Sequence, residues 1–257
     1  MGDFEQTFDH ATLDYEESRP LYPDALFQDL FAYCPVNHES CVLEIGAGTG
    51  KATLPVALTG CRLTALEPGE HLIEFARRKI KKHPNVSLLR EMLQDFECAP
   101  ETFDLIYAAT AFHWIPEAYG YRRVYELLKY GGTFARFAYH AGPDTGRPEM
   151  TEEIQRVYDR IPALAQKGIP FGQKQAEALA NLAFSYGFAD AKVCMYQATR
   201  DFSADAYMQL LRTYPAHMKL EESERKDLFS GIHNAIIRHG GTITVYYTFD
   251  MELSRKV

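Results

Sequence analysis

The chain has 257 residues, 46% hydrophobic and 24% charged, an ordinary balance for a globular protein whose core is large enough to need no disulfide or metal. A formal net charge of -8 argues against broad binding of a phosphate backbone, which depends on clustered Lys and Arg. Cys34, Cys41, Cys61, Cys98 and Cys194 are scattered without a CxxC pair, and no apolar window approaches a membrane span or a signal-peptide core, so zinc, redox-motif, secreted and membrane readings fall and a cytoplasmic location is expected.

Along the chain, the first forty residues are aromatic and acidic, punctuated by Pro20, Pro23 and Pro35. Residues 24–33 carry Leu26, Phe27, Leu30 and Phe31 at helical spacing. An apolar run over 41–45 reads as a strand, and it ends in the turn Gly46-Ala47-Gly48-Thr49-Gly50. A helix over 51–58 follows, then a strand over 63–67, a helix over 69–82 and a strand over 86–89. A fourth strand spans 103–108. A helix over 117–128 leads through Gly131-Gly132 into a fifth strand over 133–139. The basic run Arg77-Arg78-Lys79 with Lys81-Lys82 reads as a solvated helix face. Strands alternating with helices of this length require parallel pairing through crossovers, and the handedness of such crossovers gives a doubly wound sheet.

Beyond residue 141 the alternation ends. Gly142-Pro143-Asp144 opens a loop, helices are expected over 149–160 and 173–186, and residues 191–200 alternate as a strand does. Helices over 204–212 and 221–239 precede Gly240-Gly241 and a last strand over 242–253. Internal repeats and low-complexity stretches are absent.

The Gly46-x-Gly48-x-Gly50 turn sits between strand and helix at the carboxyl edge of the first parallel strand, where a backbone without Cβ can approach a ligand closely. A dinucleotide site would place a third glycine where this chain has Lys51. Glu67 closes the second strand, and a carboxylate there can accept hydrogen bonds from both hydroxyls of an adenosine ribose. The alternative, a tight turn with a capping glutamate and no ligand, leaves both features without a common purpose.

Val42-Leu43-Glu44-Ile45-Gly46-Ala47-Gly48-Thr49-Gly50 resembles the first motif of class I S-adenosylmethionine-dependent methyltransferases. Leu66-Glu67-Pro68 resembles that superfamily's second-strand acidic motif, Phe103-Asp104-Leu105-Ile106 its fourth-strand motif, and residues 127–132 the motif before its fifth strand. Tyr15 with residues 19–23, and residues 109–114 with their Phe112-His113-Trp114, are similar to a methyltransferase type 11 subgroup that includes trans-aconitate methyltransferase. Residues 208–214 and Gly240-Gly241 are similar to the tail of that subgroup.

The resemblance implies a Rossmann-like α/β fold with a doubly wound, mostly parallel seven-stranded sheet and a helical insertion. It divides the chain into an N-terminal lid (1–40), a cofactor-binding core (41–140), a helical cover at the acceptor (141–190) and a segment completing the sheet (191–257). It implies S-adenosylmethionine as cofactor. Gly46, Ala47 and Gly48 would line its methionine part, Glu67 would hold the ribose, and Pro68 would pack near the adenine. Met92, Leu93 and Gln94, at the end of the third strand, would flank the adenine ring. Gln94 stands where the superfamily usually has an acidic residue, and Glu91 or Asp95 could take that part. Ala109 and Thr110 would approach the sulfonium, and Tyr15 and Arg19 belong to a segment that folds over the cofactor in the resembling enzymes, Arg19 pairing with a carboxylate or simply holding the lid.

Methyl transfer is an in-line displacement in which positioning carries much of the catalysis. His113 is placed where a base for a hydroxyl or amine acceptor is expected; the structural alternative is that His113 and Trp114 cap and pack the helix behind them. Tyr139 and His140 either face the cleft or anchor a loop. Tyr158, Phe171, Phe184 and Tyr186 suit an aromatic acceptor pocket and equally an ordinary core, with Arg147 and Arg212 as further carboxylate partners. The expected partner is a small-molecule acceptor, a carboxylate or a hydroxyl compound, with neither nucleic acid nor membrane and no metal implied. A catalytically silent cofactor-binding module and a nicotinamide-dependent oxidoreductase remain as alternatives.

Overall fold

The computed structural model describes residues 12–165 and 170–257. Residues 1–11 of the expected lid and 166–169 of the expected cover lie outside them. The chain forms α1 (Thr12–Ser18), α2 (Asp24–Tyr33), β1 (Cys41–Ile45), α3 (Thr53–Ala57), β2 (Arg62–Leu66), α4 (Glu70–Lys79), β3 (Val86–Leu89) and β4 (Phe103–Ala109). A 3₁₀ turn (Phe112–Trp114), α5 (Glu117–Leu127), β5 (Leu128–Gly142), α6 (Pro148–Tyr158) and α7 (Gln173–Phe184) follow. Then come β6 (Phe188–Ser203), α8 (Ala204–Arg212), α9 (Pro215–Met218), α10 (Glu222–Arg238) and β7 (Thr242–Lys256).

The seven strands form one sheet in the order β3-β2-β1-β4-β5-β7-β6. The pairs β1–β2, β1–β4, β2–β3 and β4–β5 are parallel. The order reverses beside β1, where the chain passes from β3 to β4, and the carboxyl ends of strands at such a switch point are where open α/β sheets bind ligands. This is the doubly wound, mostly parallel architecture expected.

The chain is organised as two compact units. The larger comprises residues 21–139, 171–196 and 249–257. Its strands alternate between two apolar cores, as a sheet covered on both faces must. On one face Val42, Leu105, Tyr107, Ala135 and Phe137 pack with Leu26, Phe27 and Leu30 of α2 and Val56 of α3. On the other, Leu43, Ile45, Leu66, Ile106 and Phe134 pack with Tyr121, Val124 and Leu127 of α5 and Ala183 of α7. The second unit comprises residues 12–20, 140–165, 170 and 197–248. In it α10 packs on α6 and α8, and α1 on α8, around buried Met150, Ile154, Met208, Leu211, Ile232 and Ile236. The Ser203 hydroxyl accepts from the Ala206 N–H at 3.2 Å, a side-chain cap that starts α8.

Several boundaries differ from the sequence reading by a few residues; β2, for one, ends at Leu66, so Glu67 follows it. The fifth strand begins at Leu128, not after Gly131-Gly132, because the glycines are absorbed into the strand beside a register shift between Phe103 and Leu105. The third strand spans Val86–Leu89 as expected, so Met92, Leu93 and Gln94 lie beyond its end. They lie in a turn in which the Asp95 and Phe96 N–H groups both donate to the Met92 carbonyl at 3.1 Å. That turn buries Leu93 and Phe96 while leaving Gln94 and Asp95 in solvent.

Candidate cofactor and active site

The glycine turn is built where β1 leaves the sheet. The Gly46 and Ala47 N–H groups both donate to the Leu66 carbonyl at 2.9 Å, and the Gly50 N–H donates to the Ala47 carbonyl at 2.9 Å. Gly46 has φ +76° and Gly48 φ +56°, a region that side chains with Cβ rarely adopt. Their surroundings differ. A Cβ on Gly46 would lie 2.5 Å from the Ala111 Cβ, whereas a Cβ on Gly48 would meet nothing within 4 Å. Gly46 is therefore glycine because β4's end closes on it, and Gly48 faces open space.

Glu67 is 6% exposed and reaches back to this turn. Its Oε2 accepts from the Gly48 N–H at 2.7 Å and its Oε1 from the Gly69 N–H at 2.8 Å. These two backbone bonds fix the carboxylate against the glycine turn. Gly69 was not singled out from the sequence; its only signal is its place after Glu67-Pro68. Pro68 is half-buried, and its carbonyl accepts from Arg90 Nε at 3.4 Å.

Beneath the turn Glu44 is fully buried, and its Oε2 accepts from the Thr53 hydroxyl at 2.6 Å. This bond ties the last turn of β1 to the start of α3, bracketing the glycines. Burial, reinforced by the nearby Glu67 charge and opposed by hydroxyl donors, raises the Glu44 pKa from 4.5 to about 7.

At the end of β4, Ala109 and Thr110 sit opposite the glycine turn. The Thr110 N–H donates to the Phe137 carbonyl at 2.7 Å, and Thr110 holds φ +55°, a genuine outlier for a β-branched residue. Its Oγ1 lies 2.6 Å from the Tyr22 hydroxyl. In the 3₁₀ turn that follows, Phe112 is buried against Tyr121 and Phe134. His113 is exposed, with its ring 4.8 Å from that of the 39% exposed Trp114. The Leu93 carbonyl accepts from the Tyr119 hydroxyl at 3.5 Å. The larger unit thus brings together Gly46, Ala47, Gly48, Glu67, Pro68, Leu93, Ala109 and Thr110 around the carboxyl ends of β1, β2 and β4.

Other candidates fall elsewhere. Tyr15 and Arg19 are in the smaller unit. There Arg19 donates from Nε to the Thr213 hydroxyl at 2.8 Å and from Nη2 to the Thr213 carbonyl at 2.7 Å, with its guanidinium over the Tyr214 ring at 4.4 Å and the Tyr15 ring at 5.4 Å. Tyr158 is in the same unit beside His217, while Phe171, Phe184 and Tyr186 belong to the larger one. Tyr186 stacks on Tyr121 at 4.7 Å and donates to Glu117 at 2.9 Å. Tyr139 packs on the Tyr22 and Phe249 rings, His140 is half-buried, and Arg147 pairs with Asp144 while Arg212 is exposed. Among the described residues no three His, Cys, Asp or Glu side chains gather as a metal site, and no helix is long and apolar enough to cross a membrane.

The comparisons with known proteins agree with this geometry. Residues 42–132, from β1 through the approach to β5, match the sequence model of the methyltransferase domain family. An uncharacterized methyltransferase of Schizosaccharomyces pombe is 25% identical over 236 residues, covering 90% of this chain and 87% of that protein. The fold matches a candidate type II methyltransferase from Anaeromyxobacter dehalogenans with a TM-score of 0.65 at 24% identity, over 92% of this chain and 97% of that one. It also matches phosphoethanolamine N-methyltransferase 2 of Haemonchus contortus, solved with phosphomonomethylethanolamine and S-adenosylhomocysteine, with a TM-score of 0.55 at 16% identity over 98% of this chain and 60% of that one.

Fold, turn and matched segment define the class: an S-adenosylmethionine-dependent methyltransferase with a Rossmann-like core.

Proposed function

We propose that this methyltransferase acts on a small organic acceptor through a carboxylate or hydroxyl oxygen, leaving S-adenosylhomocysteine. The observation that carries the cofactor half is the Glu67 carboxylate, bound at once to the Gly48 and Gly69 N–H groups. A buried anion held so close to an open glycine turn suits a ligand that offers a ribose diol beside a chain needing backbone contact. In this reading Gly46, Ala47 and Gly48 bound the methionine part, Glu67 binds the ribose, and Pro68 with Met92, Leu93 and Gln94 flank the adenine. Ala109 and Thr110 lie toward the sulfonium, whose electrophilic methyl is what the cofactor supplies. The chain's own contribution is orientation and exclusion of water, since a carboxylate acceptor is already nucleophilic. For a hydroxyl acceptor, His113 is the residue that takes the proton.

The small-molecule half is supported by the net charge of -8, which disfavours nucleic acid, and by the phosphomonomethylethanolamine in the complex of the Haemonchus enzyme. The test is transfer of labelled methyl from S-adenosylmethionine to a panel of small carboxylic acids and phenols, with RNA and DNA in parallel. Labelling of a small acid or phenol supports the proposal. Labelling of nucleic acid alone overturns it, and tight cofactor binding with no turnover on any acceptor favours a silent binding module.

A further inference from the structure

The Tyr22 side chain is fixed more completely than a loop residue between Leu21 and Pro23 requires. Four aromatic rings surround it: Phe137 at 5.0 Å, Phe249 at 6.1 Å, and Phe27 and Tyr139 at 6.4 Å, all edge-on or tilted. Ring packing of this kind fixes orientation as well as burying area. It delivers the phenol oxygen to one place, 2.6 Å from the Thr110 Oγ1. Thr110 is strained, with φ +55°, and such a conformation persists only where its surroundings over-determine it. The surroundings supply two restraints, the Tyr22 hydroxyl on the side chain and the Phe137 carbonyl on the N–H. The next residue, Ala111, is the one whose Cβ occupies the space beside Gly46.

We infer that Tyr22 is a positioning residue for the cofactor site: its hydroxyl holds Thr110 in the left-handed conformation, which seats Ala111 against Gly46 and fixes the wall opposite the glycine turn. Its effect on ligand affinity rests on the proposal that this turn holds the cofactor; the conformational part stands on the contacts alone. A reaction step is not assigned to the phenol.

The variant to make is Tyr22→Phe, which keeps the ring in its aromatic box and removes only the hydroxyl. Two readouts separate the parts. Amide exchange followed by mass spectrometry on the peptide spanning 109–112 should quicken about tenfold in the variant, as the Thr110 N–H opens more often once one restraint of about this strength is lost. The dissociation constant for S-adenosylhomocysteine should rise about tenfold. Exchange equal to wild type, or a dissociation constant for S-adenosylhomocysteine unchanged in Tyr22→Phe while wild type binds, overturns the inference. If the wild-type protein fails to bind S-adenosylhomocysteine, the cofactor reading of the turn falls, and the exchange measurement still decides whether Tyr22 holds Thr110.

Discussion

Replacing Glu67 perturbs folding and ligand binding by amounts that the geometry lets one separate. The carboxylate is 6% exposed and accepts two backbone N–H bonds at 2.7 and 2.8 Å. Hydrogen bonds to a charged group contribute about 1.5–3 kcal/mol each. Glu67→Ala orphans both N–H groups, though water entering the vacated space recovers part of the loss, so the expected destabilisation is about 3 kcal/mol. The ribose contacts are lost separately. Two charge-assisted bonds, partly replaced by solvent, again amount to about 3 kcal/mol, or roughly a hundredfold in affinity. Urea unfolding reads the first quantity and calorimetric titration of the folded variant with S-adenosylhomocysteine reads the second. The two also meet in one experiment. Ligand at a hundred times the wild-type dissociation constant should stabilise wild type by about 2.7 kcal/mol and the variant by under about 0.5 kcal/mol. A folded Glu67→Ala protein that binds within threefold of wild type would refute the ribose assignment.

The two glycines should separate in the same assays. Gly46→Ala places its Cβ 2.5 Å from that of Ala111 and should cost about 2–4 kcal/mol of stability from overpacking plus left-handed strain. Gly48→Ala meets no protein atom within 4 Å and should cost only about 1–2 kcal/mol, yet weaken S-adenosylhomocysteine binding by at least about tenfold through the Cβ it adds to the ligand's space; equal effects of the two on both readouts would contradict the contrast. Glu44 is held protonated by burial, with its pKa raised from 4.5 to about 7. The folded state therefore keeps a proton that the unfolded chain has released, and stability should fall as pH rises from about 4.5 to about 7, by up to about 3 kcal/mol, and level off above that. Glu44→Gln should flatten this slope, and identical urea midpoints against pH for both proteins would exclude it. Buried His217, whose Nδ1 lies 3.0 Å from the Leu211 carbonyl, has its pKa lowered by burial below the ordinary 6.5. Its neutral form favours the fold, so its share of stability is present above about 6.5 and lost as pH falls below it; His217→Gln should be less sensitive than wild type to acidification over that range.

Much of the larger unit was legible because its signals are local. The apolar runs at 41–45 and 86–89 and the spacing over 24–33 give β1, β3 and α2 with their observed ends, since short apolar runs bounded by turn residues and a helix with an apolar stripe are local signals. The glycine turn stood out because positive φ demands glycine at Gly46 and Gly48, and the bond from Glu67 to the Gly48 N–H joins the two features the sequence had set side by side. What escaped depends on distant partners. Nothing in the sequence near Thr110 announces a positive φ, because the restraint comes from Tyr22, 88 residues earlier. Met92, Leu93 and Gln94, expected at the end of the third strand, lie instead in a turn closed by the bonds of the Asp95 and Phe96 N–H groups to the Met92 carbonyl. Arg19 carries no sequence sign of its commitment to Thr213, 194 residues away.

The central claim is that the glycine turn and Glu67 hold S-adenosylmethionine. Its most direct test is calorimetric titration of the full chain with S-adenosylhomocysteine, with NAD titrated in parallel. Saturable binding of S-adenosylhomocysteine at one site per chain, with none of NAD, is the predicted result. Binding of NAD without S-adenosylhomocysteine would contradict the account and return the turn to the dinucleotide class.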